Sequence, residues 1–351
     1  MQKKYLLPVF LVFQIVFVKT VSFFPEIVET YYSNSFYLIV SNGLRSIFGA
    51  LSFSFGDVLY GVLIFLCLKW IFINRKMVLK DWKNSVLKLL RIFSILYFFF
   101  HVLWGFNYYR IPIHEKLNIE EAYSKEELEF FTKKMIVKCN ELQFKITFND
   151  TVAVKIPYTD EEIFNRAASG FHQLPKDLVA FDYQKESVKI SLFSLPLSYM
   201  GFGGYLNPFT NEAQVNYLMP KYASPFTTSH EMVHQVGIGS ESECNFIGFL
   251  AATNNSDDYF KYAAYTVAVR YCLGNLEEMK PGLSEPYIKL LNKGVLKNFN
   301  ENEVFWAQYQ TPINSFFEIF YDNFLKANQQ KDGLLSYNKF IGLLIGYQRL
   351  Q

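Results

Sequence analysis

His230 and His234 stand four positions apart, and Glu231 directly follows the first of them. On a helix, residues at that spacing lie one turn apart on a single face, so both imidazoles would point the same way. Two imidazoles placed like this suit a tetrahedral zinc ion. Glu231, beside the same face, is placed to act as a base toward a water activated there. Such a site needs a third protein ligand and an open fourth position. Only five histidines occur in the chain, so two of them at this spacing concentrate a scarce residue.

A plainer role competes for Glu231. Thr228-Ser229-His230-Glu231 has the S/T-x-x-E pattern of a capping box, in which the glutamate only closes its own helix start. The following residues favour a metal. Gly237 predicts a helix end just after His234. Ser240-Glu241-Ser242-Glu243 then reads as a second capping box that restarts a helix at once. With Ser240 as the N-cap, Glu243 closes the box and Glu241 is left free in the first turn. Glu241 is therefore the expected third ligand and Glu243 the alternative. Asn245, four residues beyond Glu241, shares its face and is placed to orient a ligating histidine from behind. Cys244 reads as a small buried apolar residue.

Composition sets the surroundings. The net charge of +2 gives no indication of nucleic-acid binding. The four cysteines are far apart and form no C-x-x-C, which argues against a thiolate zinc site or a disulfide framework. Aromatic residues make up 19% of the chain, which fits a protein partly in lipid with interfacial rings.

Three segments are predicted to span a bilayer: residues 5–24, 57–73 and 86–104. The first follows a basic start and lacks a small-residue cleavage site, so it reads as an uncleaved anchor. Residues 36–55 read as an interfacial or re-entrant helix. Trp104-Gly105-Phe106-Asn107-Tyr108-Tyr109-Arg110 reads as an aromatic interface belt. Arg75, Lys76, Lys80, Lys83, Lys88 and Arg91 crowd the connection between the second and third spans. The positive-inside rule puts that connection and the N-terminus in the cytoplasm. Everything after Arg110 then lies outside, at the periplasmic or outer face of a bacterial plasma membrane.

The chain thus divides into a membrane region, 1–110, and an extracytoplasmic domain, 111–351. Ser124-x-x-Glu127 opens a helix to about Leu142, and Thr159-x-x-Glu162 another to about His172. Ser187–Phe193 and Glu212–Leu218 alternate and read as strands, the second an edge strand able to pair with an extended peptide. The glycine-rich stretch 201–210 between them reads as turns. Asp257–Leu276 is apolar, but Lys261 and Arg270 make it a core helix. Further helices are expected from Glu285, Glu301, Ile313 and Ser336. Few strands and many helices make the fold α+β and mainly helical.

The chain resembles a bacterial membrane family, domain of unknown function 3810, over nearly its whole length. The resemblance rests on Ser54-Phe55-Gly56-Asp57-Val58-Leu59-Tyr60, on Trp104–Arg110 and on Gly201–Ala213. It continues through His230-Glu231-x-x-His234-Gln235-x-Gly237 and Glu241-x-Glu243-Cys244-Asn245-Phe246, with Cys244 where the family usually has Ala. The motif is also similar to the zincin metallopeptidases, and Glu241-x-x-Cys244-Asn245 to their E-x-x-A-D element. That likeness implies a zincin-like domain and a zinc metallopeptidase with Glu231 as general base. Tyr205, Tyr217, Tyr337 and His172 are candidates to stabilise an oxyanion, each with a competing structural role. The alternatives are a zinc hydrolase acting on a non-peptide amide of the cell envelope, and a non-catalytic membrane protein for binding or assembly. The expected partners are the lipid bilayer and a peptide or protein substrate.

Overall fold

A computed structural model describes residues 3–174, 183, 185–328, 330 and 339–351. Four helices lead the chain: α1 (Leu6–Val21), α2 (Tyr37–Phe48), α3 (Phe55–Lys80) and α4 (Trp82–Leu103). Among the described residues, the stretches Lys3–Val21, Phe55–Lys76 and Trp82–Leu103 are long and apolar enough to cross a membrane. Most of their side chains are exposed, as helices surrounded by lipid rather than by protein would have them. These three helices mark the chain as membrane-associated.

The 36–55 stretch contains α2, entered through wide π-helical turns over Val28–Phe36. Tyr37, Ser41 and Arg45, spaced by four, form its buried face. The Arg45 guanidinium lies 4.9 Å from the centre of the Tyr183 ring. This face is thus turned to protein.

The remainder is mainly helical. Both expected capping boxes form, Ser124 with Glu127 before α5 (Lys125–Thr147) and Thr159 with Glu162 before α6 (Asp160–Phe171). Helix α5 runs five residues past its expected end, to Thr147, and stops where Phe148 turns left-handed at φ 55°.

A small sheet holds β1 (Val188–Ile190), β2 (Gly204–Asn207) and β3 (Glu212–Val215), with the short helix α7 (Ser194–Met200) between the first two. Its order is β1-β3-β2. β1 runs parallel to β3 with Val188 opposite Ala213, and β2 runs antiparallel to it with Leu206 opposite Ala213. The sheet differs from the pattern read in the sequence at two points. Glu212–Val215 is the central strand, flanked on both sides. The glycine-rich stretch is not all turn, since its middle, Gly204–Asn207, is strand β2, an edge among the described residues.

The core is built by α8 (Ser224–Gln235), α9 (Glu241–Asn254) and α10 (Asp258–Met279), with α5 and α6 against them. Helix α10 is the core helix expected at Asp257–Leu276. Asp257 caps it through the Tyr259 N–H, and Ala263, Ala264 and Ala268 are fully buried, so neighbours approach closely. Then come α11 (Lys293–Ala307), α12 (Pro312–Ala327) and α13 (Lys339–Arg349). The helix expected from Glu301 begins eight residues earlier, at Lys293, so Glu301 is interior to it. The one expected from Glu285 is a single turn, Glu285–Ile288. Ser336 lies outside the described residues.

Candidate metal centre

Helix α8 starts at Ser224 with Pro225 in its first turn, where a missing N–H costs nothing. Thr228 and Ser229 are therefore interior, and the Ser229 hydroxyl donates to Pro225 O at 2.9 Å. No capping box forms at 228–231, and Glu231 has no helix end to close. Met232 and Val233 on this helix are fully buried and anchor it in the core, at roughly 1.5–3 kcal/mol each.

The helix ends at Gly237, whose φ is +83°. A Cβ there would also sit 2.8 Å from the Tyr37 ring, so glycine is required twice over. The chain then re-enters a helix at Glu241. Ser240 precedes it but makes no capping bond; its hydroxyl faces that of Ser242 at 3.0 Å. The second capping box is therefore also absent. Glu243 instead accepts the Ile113 N–H at 2.7 Å. Ile113 opens the helical turn Ile113–Lys116, so its N–H lacks an acceptor within that turn. Burial pushes the Glu243 carboxyl up to about 7, against the Ile113 hydrogen bond.

Glu241 joins the two imidazoles. Its Oε2 lies 3.2 Å from His230 Nε2 and 3.6 Å from His234 Nε2. The ligand atoms of His230, His234 and Glu241 all fall within 4.8 Å of one another. Tetrahedral bonds of about 2.0–2.2 Å would place ligand atoms roughly 3.3–3.6 Å apart, so the set fits a zinc ion.

The far sides of the rings fix their protons. His230 Nδ1 lies 2.8 Å from Asn245 Oδ1, and His234 Nδ1 lies 2.9 Å from Ile238 O. Both partners are acceptors, so each Nδ1 carries the hydrogen and each Nε2 turns a lone pair toward Glu241. Three acceptors aimed at one point repel unless positive charge lies between them. Burial would raise the Glu241 carboxyl, yet the imidazoles hold it well below the usual carboxylate range. A proton on His234 can supply that charge in place of an ion, since burial would lower this ring, yet Glu241 carries it well above its ordinary value. The Tyr321 hydroxyl donates to Glu241 Oε1 at 2.6 Å and fixes the carboxylate.

Cys244 is buried, and its Sγ lies 3.3 Å from His234 Nδ1. Burial pushes its thiol up to about 12, so it remains a thiol that steadies the ring.

Glu231 is buried beside the cluster, and its Oε2 has no hydrogen-bond partner. Burial pushes its carboxyl up to about 7, opposed by His230 and His234. The backbone of β2 comes close: a Cβ on Gly204 would sit 2.7 Å from the Glu231 carboxylate. Gly204 thus lets strand β2 lie against the base.

A cleft of about 930 Å³ opens over these residues. Gly203–Leu206 line it, as do Arg270 and Tyr271 of α10. Tyr60 of α3 and Phe100 of α4 also line it, so the site adjoins the membrane helices. Of the oxyanion candidates, Tyr205 lines the cleft but gives its hydroxyl to Asp57. Tyr217 is 55% exposed, His172 is exposed, and neither lines the cleft. Tyr337 lies outside the described residues. Tyr321 and Tyr271 carry no signal in the sequence, because only the packing of α12 and α10 brings them here.

Segments next to the membrane helices also grip the motif. Trp104 Nε1 donates to His234 O at 3.0 Å, and Arg110 Nη1 donates to Gly237 O at 2.8 Å. Tyr37 donates to Gln235 O and accepts from Asn211, both at 2.8 Å. Trp104, Asn107 and Tyr109 are buried, so much of the expected interface belt is turned into protein, where it holds the end of α8. Glu212 accepts the Phe55 and Gly56 N–H groups at the start of α3, a favourable place for an anion.

No curated protein and no solved structure matches this chain. A family profile described as "Protein of unknown function (DUF3810)" matches residues 32–345, which takes in the motif helices, the sheet and the segments that clamp them. The chain therefore belongs to the DUF3810 family.

Proposed function

We propose that the protein is a membrane-anchored zinc metallopeptidase of zincin type. The observation that carries this reading is the convergence of His230, His234 and Glu241, with the unpartnered carboxylate of Glu231 beside them. His230, His234 and Glu241 would hold the ion. When bound, zinc supplies a Lewis acid that polarises an amide carbonyl and acidifies water. Glu231 takes the proton of the attacking water and passes it to the leaving nitrogen. Asn245 and Ile238 O keep both rings in the ligating tautomer, and Tyr321 keeps Glu241 in place. The edge strand β2 lines the cleft and offers unpaired backbone groups to an extended peptide, which favours a peptide as substrate.

The hydrolysis of a non-peptide envelope amide is the second reading. It draws on Tyr60 and Phe100, which bring membrane-helix side chains into the cleft. In both readings the basic connection from Arg75 to Arg91 keeps the N-terminus in the cytoplasm and the cleft on the outer side.

The test is Glu231→Gln in the full-length protein, assayed on a fluorogenic peptide library. Cleavage should fall by about 10²–10⁴-fold while zinc content is unchanged. Equal cleavage by both proteins would overturn the mechanism.

A further inference from the structure

Helix α12 has two unlike faces. Inward, Tyr321 holds Glu241, Leu325 is fully buried, and Phe324 meets Phe100 and Tyr108 with ring centres 6.4 and 6.1 Å apart. Outward, Ile313, Phe316, Ile319 and Phe320 are 55%, 64%, 66% and 57% exposed. Their spacing by three and four puts them in one stripe. Ser315, Asp322 and Lys326 form a polar flank, with Asp322 and Lys326 paired at 2.7 Å.

That stripe adjoins membrane-spanning surface on two sides. Phe100, which touches α12 through Phe324, belongs to the apolar stretch Trp82–Leu103. On the other side, α12 packs on α7, where Leu195 and, just before the helix, Leu192 are 53% and 60% exposed. Phe193 between them reaches Gly61 of α3, its ring 3.7 Å from where a Cβ would be. Gly61 lies within the apolar stretch Phe55–Lys76. The apolar rim thus continues what α3 and α4 already present to lipid. An amphipathic helix with large apolar residues on one side and charges on its flank suits the plane of a bilayer surface.

We propose that the outer face of α12, with Leu192 and Leu195, is seated in the lipid of the bilayer that α3 and α4 cross. The helix that positions the Glu241 carboxylate is then itself held by the membrane, and the cleft is bounded by lipid on that side. This surface stands independently of the hydrolase reading.

The experiment uses the full-length protein in phosphatidylcholine and phosphatidylglycerol nanodiscs. Cys67, the exposed native cysteine, is replaced by serine; Cys139, Cys244 and Cys272 are buried. Spin labels go on Phe316→Cys and Phe320→Cys, with Ser315→Cys on the polar flank as reference. The ratio of oxygen to nickel-chelate accessibility should be several-fold higher at 316 and 320 than at 315. Equal ratios would overturn the proposal and put the face in water. Shielding from both reagents with dipolar broadening between labels would overturn it in favour of a second copy of the chain. The measurement needs neither metal nor substrate, so its failure leaves the hydrolase reading as it was.

Discussion

Glu241 Oε2 lies 3.2 and 3.6 Å from the His230 and His234 Nε2 atoms beside the end of α8, and each of the three side chains is braced from behind. Asn245 braces His230, the Ile238 carbonyl braces His234, and Tyr321 braces Glu241. Braces of this kind set ring orientation and ligand basicity, and their loss weakens metal binding by about 10–100-fold. Asn245→Ala should therefore bind zinc about 10–100-fold more weakly, read by competition with a fluorescent chelator, while the fold is kept. Unchanged affinity would mean that the His230 to Asn245 contact does not support a ligand. The histidine pair and Glu231 were legible because helical periodicity alone sets their faces. Glu241 was singled out by a capping box that does not form; what occupies Glu243 is the Ile113 N–H, a tertiary contact the local pattern cannot contain. Tyr321 was illegible for the same reason, 80 residues from its partner.

The joint between α8 and α9 decides whether those residues meet. Gly237 makes it, with a left-handed backbone and the Tyr37 ring against its Cα. Gly237→Ala adds both strain and a clash. It should destabilise the protein by about 1–3 kcal/mol, seen as a lower Tm, and reduce zinc affinity as well. A neutral effect would show that the joint tolerates another path. The glycine was legible as a helix stop, and the structure adds why no other residue fits. Strand β2 was not legible, because Gly203 and Gly204 read as turn formers and its strand identity comes from pairing with β3. The same holds for the edge: sequence order suggested β3, and the parallel partner β1 makes β3 central.

At the scale of the whole molecule, the membrane helices and the helical core are one structure joined at the site. The spans were legible from length and apolarity, because lipid imposes both. The grip was not, since Trp104, Arg110 and Tyr37 look like interfacial residues until their partners are known. Arg110 and Lys116 both pair with Glu29, at 2.7 and 2.6 Å, in a largely buried cluster. Burial would raise the Glu29 carboxyl, but the two cations hold it at about 2, below its unfolded value of 4.5. A depressed carboxylate adds stability above the unfolded value, about 3 kcal/mol here, and loses it as pH falls through the folded one. The Tm gap between wild type and Glu29→Gln should thus be full at pH 5 and above, and close on acidification toward about 2. A gap independent of pH would remove the ion cluster from the clamp. Metal analysis of the purified full-length protein decides whether His230, His234 and Glu241 hold an ion. One zinc per chain, lost in His230→Ala and in Glu241→Ala but kept in Glu243→Gln, is the expected result. Substoichiometric zinc that His230→Ala leaves unchanged would contradict it.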